Sequence, residues 1–201
     1  MYFFLVAYSI LGAGIKYIDA AFDEKTFSKK IAYILAPLLG ILWAYTMLID
    51  SVSATILLAV VLGVLIKGKI DNYAHLTGML IIFAILFMLR IEFLFIPLIF
   101  LSTSAVLDEI GNDYIDSEKE NLNKEKLSSK FLIFFFGHRW IMKIAIIYLI
   151  FMGVIPFFFF IAMALFDYAY VFTGAYTSLK QGIINTTLTQ RAIAKIGCIF
   201  K

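Results

Sequence analysis

The stretch IAYILAPLLGILWAYTMLI, Ile31 to Ile49, runs nineteen residues without a charge. A helix needs about 20 apolar residues to cross the hydrocarbon of a bilayer, so this segment reads as a membrane span. The rest of the chain has the same character. It is 63% hydrophobic and 15% charged, whereas a soluble domain is roughly 45–50% apolar, and no soluble fold of this length can bury such an excess. Working outward, further apolar segments run from Met1 to Ile18, Val52 to Ile66, Leu76 to Leu89, Phe93 to Leu107, Trp140 to Gly153 and Pro156 to Phe172. The expected fold is an all-α, polytopic transmembrane helical bundle of about seven spans. Several segments reach full length only if Tyr73, Ala74, Phe131 to Phe136 or Thr173 extend them. Gly153 and Pro156 supply a turn between the last two; if that region is one bent helix, six spans remain. The first segment lacks the basic n-region of a signal peptide and reads as a retained span. The chain divides into a transmembrane domain, 1–179, and a tail, 180–201.

Lysine and arginine gather in alternate connections: Lys25, Lys29 and Lys30 in the first, Lys67 and Lys69 in the third, Lys119, Lys124, Lys126 and Lys130 in the fifth. The positive-inside rule puts these loops in the cytoplasm. The tail, with Lys180, Arg191, Lys195 and Lys201, falls on the same side, and the N-terminus falls outside. The bases form no stripe interleaved with aromatics, which argues against a nucleic-acid partner. A lone cysteine, Cys198, excludes an internal disulfide and a thiolate metal cluster. Asn185-Thr186-Thr187 matches a glycosylation sequon, but in a cytoplasmic tail it reads as chance.

One internal echo stands out. Tyr17-Ile18-Asp19 returns as Tyr114-Ile115-Asp116, and each aspartate is followed four residues later by another acid, Asp23 or Glu120. Four spans separate the copies, so both lie at the cytoplasmic end of a helix. Residues three, four and seven apart share a helical face: Asp19 with Asp23, and Asp113 with Asp116 and Glu120, flanked by Asn112 and Asp108. Carboxylates stacked beside a medium of low dielectric need a positive partner. Mg²⁺ is one, held by one or two carboxylates while waters and phosphate oxygens fill its other positions. The alternative is a set of ordinary solvated loop acids, the better reading for the mixed run Glu118 to Lys126.

Asn112-Asp113-Tyr114-Ile115-Asp116-Ser117-Glu118-Lys119-Glu120 resembles the NDxxDxxxD motif of the UbiA superfamily of intramembrane prenyltransferases, with Glu in the last position, and Asp19-Ala20-Ala21-Phe22-Asp23 resembles that family's DxxxD motif. The resemblance implies a helical membrane enzyme that binds Mg²⁺ and a polyprenyl diphosphate and transfers the prenyl group to a lipid-soluble acceptor. It implies Asn112, Asp113, Asp116 and Glu120 as one metal-binding wall and Asp19 and Asp23 as the other. The CDP-alcohol phosphotransferase pattern fits less well, since Ser117 stands where its glycine would be.

Other polar residues interrupt the apolar frame. Asp167, between Phe166 and Tyr168, is either a functional carboxylate or one paired with a base on a neighbouring helix. Asp71 and His75 lie four apart and can share a proton or a metal. Arg139, beside His138 and Lys143, offers a fork of donors for a diphosphate or simply anchors the interface. The aromatics, including Phe157 to Phe160, Tyr168, Tyr170 and Tyr176, suit a carbocation-shielding cavity, but aromatic-rich spans more often simply pack or face lipid. Two alternatives to prenyl transfer remain: a cation transporter or channel that uses the acids and Asp167, and a non-catalytic membrane subunit that docks a partner.

Overall fold

The structure is a computed structural model describing residues 1–68, 70, 72–117 and 127–199, without the side chains of 116 and 183–199. Among the described residues every regular element is a helix: α1 (Tyr2–Phe22), α2 (Lys29–Ile49), α3 (Ser51–Ile66), α4 (Tyr73–Leu89), α5 (Phe95–Ser117), α6 (Leu127–Gly137), α7 (Trp140–Phe151) and α8 (Phe158–Ile199). Local chemistry sets several boundaries. The Asp50 side chain accepts the Ser53 N–H at 2.8 Å and caps α3, and Asn72 does the same for α4 through the His75 N–H at 2.9 Å. Gly153, at φ +71°, ends the α7 turn, a conformation glycine adopts without steric cost. The expected turn between the last two apolar segments is therefore present, just ahead of Pro156.

Among the described residues four helices, α1, α2, α5 and the Phe158–Gly182 part of α8, are long and apolar enough to cross a membrane. The number becomes five if α6 and α7, bent by 66°, count as one broken span. Here the structure corrects an expectation: Phe131 to Phe136 do not lengthen the helix that starts at Trp140. They form α6, and the chain breaks at His138 and Arg139, where Arg139 takes a left-handed φ of 49°. The helices α3 and α4 are shorter, at 16 and 17 residues. At about 1.5 Å per residue, α3 is roughly 24 Å long, below the roughly 30 Å of hydrocarbon.

Packing follows a closed sequence of neighbours. α1 lies against α8 and α2, α2 against α3, α3 against α5, α5 against α7, and α7 against α8, while α4 covers α2 and α6 covers α5 from outside. α3 and α4 are both apolar on every face, yet they meet different solvents. The run from Ser53 to Val61 in α3 is buried throughout, whereas α4 buries only Ala74 and Ile82 and exposes Leu80, Phe87 and Met88. An all-apolar helix belongs in a core or in lipid; α3 lies in the core, and α4 exposes the apolar surface that suits lipid. Backbones touch where side chains vanish: a Cβ on Gly12 would lie 2.0 Å from the Phe166 carbonyl oxygen, and one on Gly40 would lie 2.7 Å from that of Gly78. Small residues at such crossings are how membrane helices approach closely. Large apolar side chains also cover the outside of α1 and α2, among them Val6, Ile10, Ile34, Leu38 and Ile41, as in a chain solvated by lipid.

Candidate functional site

Ile18 turns into the core, which leaves Asp19 at the edge of α1 near its end. Both carboxylate oxygens are engaged. His75 Nε2 lies 2.6 Å from Oδ1, and the Tyr170 hydroxyl donates to Oδ2 at 3.0 Å. His75 reaches this point because Asn72 caps α4 and so places it in the first turn; Tyr170 reaches it because α8 runs along α1. Asp23 caps α1, its N–H bonded to the Asp19 carbonyl at 2.8 Å, and is exposed. The loop beyond is tied down. Lys16 Nζ contacts Glu24 Oε1 at 2.8 Å, Gln181 donates to the Glu24 carbonyl at 3.1 Å, and the Phe27 ring stacks between Tyr17 and Tyr176 with Lys180 Nζ 4.6 Å from its centre.

The end of α5 repeats the arrangement. Ile115 turns inward like Ile18, and Tyr-Ile-Asp again closes an apolar helix. Asp113 is paired with Lys67 at 2.9 Å. Asn112 beside it is half-buried. The Asp116 side chain and all of Glu120 lie outside the described residues, as do Asp71 and the Glu118 to Lys126 run. One turn back, Glu109 is buried and meets Arg139 at 3.0 Å, while Asp108, 1% exposed, accepts the Ile141 and Met142 N–H groups at 3.0 and 2.7 Å. Asp108 thus caps α7 from another helix, satisfying donors that every helix start leaves open. Farther in, Lys143 pairs with Asp167 and also donates to the His138 carbonyl. The Asp167 carboxylate is therefore matched by a base on a neighbouring helix.

Each acidic motif is held by a base from a helix end: Lys67 at the end of α3 holds Asp113, and His75 in the first turn of α4 holds Asp19, so the two bases flank the α3–α4 connection. On the other flank the Arg139 guanidinium lies 5.5 Å from the centre of the Tyr170 ring, a cation–π distance, while it pairs with Glu109. His75, Asp19, Tyr170, Arg139 and Glu109 form one chain of contacts across the end of the bundle. Beside it a crevice with room for about one water opens between α3, α5, α7 and α8, lined by Gly63, Ala105, Glu109, Arg139, Met142 and Met163.

Among the described residues no group of three or more His, Cys, Asp or Glu side chains converges to hold a metal ion. Mg²⁺ does not require one: one or two carboxylates suffice when phosphate oxygens and waters complete the shell. Asp19 and Asp113 are hard oxygen donors of that kind, each already engaged by a partner from another helix. The sequence pointed to Asp19, Asp113 and Arg139, and to Tyr170 only as one of the aromatics, but not to Glu109 or to the roles of Tyr170, Lys67 and His75 at Asp19, Asp113 and Arg139. Glu109 carried a signal, an acid next to Asp108 in a helix still apolar around it. Tyr170 stood out only among the aromatics of the last apolar segment, one helical turn after Asp167. No protein-family model matches the chain, and neither does any curated protein or solved structure.

Proposed function

We propose that the chain is an integral membrane enzyme of UbiA-like chemistry, which transfers a prenyl group from a polyprenyl diphosphate to a lipid-soluble acceptor. The observation that carries this reading is the pair of bases flanking the α3–α4 connection, Lys67 after α3 and His75 in the first turn of α4, which hold Asp113 and Asp19. Among the described residues, two of the acids expected to need a cation, Asp19 and Asp113, each have a base beside them. Such pairs suit a metal diphosphate, since each half has a counterpart in the ligand. Lys67 and Arg139 can leave Asp113 and Glu109 for the phosphate oxygens, and Asp113 is then free to join Asp19 at the metal. Arg139 binds as a planar fork. Mg²⁺, when bound between Asp19, Asp23, Asp113, Asp116 and Glu120, would neutralise the charge that builds on the leaving diphosphate. The C–O bond to the diphosphate breaks, the acceptor forms a bond to the prenyl carbon and loses a proton, and the apolar surroundings keep water from the allylic cation.

In this reading about seven spans cross the membrane, the short α3 and α4 among them. The connections carrying Asp23 and Asp113 face the cytoplasm, the N-terminus faces outward and the C-terminal tail inward. The test is transfer of a labelled prenyl group in membranes containing the chain. Transfer should require Mg²⁺, stop with a chelator, and disappear in Asp19→Ala and Asp116→Ala; intact transfer in both variants sinks the mechanism. A second reading draws on the buried charges between α5, α7 and α8. Ionisable groups inside a membrane domain often line an ion path, and a transporter would move a cation in liposomes with Asp167→Asn as the most damaging change.

A further inference from the structure

Tyr170 does two things at once. Its hydroxyl donates to Asp19 Oδ2 at 3.0 Å, and its ring face carries the Arg139 guanidinium 5.5 Å from the centroid. His75 holds the other Asp19 oxygen at 2.6 Å. A carboxylate at a helix edge would ordinarily rotate among several positions; with one donor on each oxygen, from α4 and from α8, this one has a single orientation. Arg139 is constrained as well, by a left-handed backbone at the α6–α7 break and by Glu109 at 3.0 Å. Left-handed backbone at a non-glycine residue is costly and persists where the surroundings over-determine it.

Resting on the Mg²⁺–diphosphate reading above, we infer that Tyr170 and His75 are positioning residues for Asp19, and that Tyr170 is the pivot setting the Asp19 carboxylate and the Arg139 guanidinium as two halves of one binding site. A bare cation needs only the carboxylate, and a bare anion needs only the guanidinium. A site that couples the two through one side chain fits a ligand in which metal and phosphate are joined. The phenol oxygen serves the metal side and the ring serves the phosphate side, so the two contributions separate by substitution. Tyr170→Phe removes the hydrogen bond and keeps the ring. Tyr170→Leu removes both. His75→Gln keeps a donor for Asp19, and His75→Leu does not.

The experiment is calorimetry on the purified full chain in detergent, titrating Mg²⁺ at saturating inorganic diphosphate and inorganic diphosphate at saturating Mg²⁺, with thermal unfolding of each variant alongside. A hydrogen bond to a charged group lies in the range that makes about a tenfold difference in affinity. Tyr170→Phe and His75→Leu should weaken Mg²⁺ about tenfold on that scale. The same variants should leave diphosphate within about twofold, while Tyr170→Leu weakens both ligands and His75→Gln restores Mg²⁺ to near the wild-type value. Wild-type affinities in Tyr170→Phe and His75→Leu overturn the positioning role alone and leave the proposed function standing. So does a Tyr170→Phe variant that loses both ligands together with thermal stability, which is the mark of a purely structural tyrosine. A wild-type chain that binds neither ligand overturns this inference together with the function it rests on.

Discussion

Among the described residues Asp108 is the most deeply buried carboxylate, and backbone donors satisfy it. By holding the Ile141 and Met142 N–H groups it supplies the cap that the sequence before α7 lacks. Asp108→Ala should therefore cost about 1–2 kcal/mol, the usual size of a lost cap, and Asp108→Asn, which keeps one acceptor, should cost less; denaturant unfolding in detergent measures both. The Lys143–Asp167 pair obeys a different rule. Removing one member of a buried pair strands the other charge and costs about 3–5 kcal/mol, whereas replacing both with apolar residues of similar volume is often nearly neutral. Lys143→Met alone should destabilise by that amount, and Lys143→Met combined with Asp167→Leu should recover most of it; a double variant no more stable than the single would show that the pair is not the unit. The acids were legible as residues. Their partners were not, because Lys67 with Asp113 and His75 with Asp19 are joined only by the fold, and local spacing had suggested Asp71 as the mate of His75.

At the scale of elements, period and composition identified the apolar helices α1, α2, α5 and the membrane part of α8, because long apolar runs have few other solutions. They could not separate α3 from α4. Both are apolar on all faces, and only the neighbours decide that Ile56 and Leu57 meet protein while Phe87 and Met88 do not. The α6–α7 break was also illegible, since Gly137, His138 and Arg139 contain no proline and the left-handed Arg139 is sustained by Glu109 and Tyr170, remote in sequence. Close crossings give a sharper prediction. Gly12→Ala would force a methyl to 2.0 Å from the Phe166 carbonyl oxygen and so push α1 off α8, whereas a Cβ on Gly137 meets nothing within 4 Å. Overpacking of this kind typically costs about 1–3 kcal/mol. Thermal unfolding should show that loss for Gly12→Ala and little change for Gly137→Ala; equal melting of the two would mean that α1 and α8 are not in contact.

At the scale of the whole molecule, the echo of Tyr-Ile-Asp in two helices becomes a statement about sidedness: both copies lie at one end of the bundle, reached by the two bases that flank the α3–α4 connection. Cysteines introduced singly at Lys25, Lys67, Ser51 and Val154 in a Cys198→Ala background test the proposed orientation. A membrane-impermeant maleimide should label 25 and 67 from the cytoplasmic side and 51 and 154 from the other; labelling of 25 and 67 from opposite sides would separate the two motifs by the bilayer. The claim on which everything turns is that Asp19 and Asp113 serve one site. Residues that share a ligand are coupled, and changes at independent sites add. The most direct measurement is the affinity for inorganic diphosphate at fixed Mg²⁺ in Asp19→Asn, Asp113→Asn and the double variant. One shared site predicts that each single change weakens binding about tenfold or more, as loss of a metal-binding carboxylate should, and that the double variant is little worse than either. Losses that multiply would contradict it.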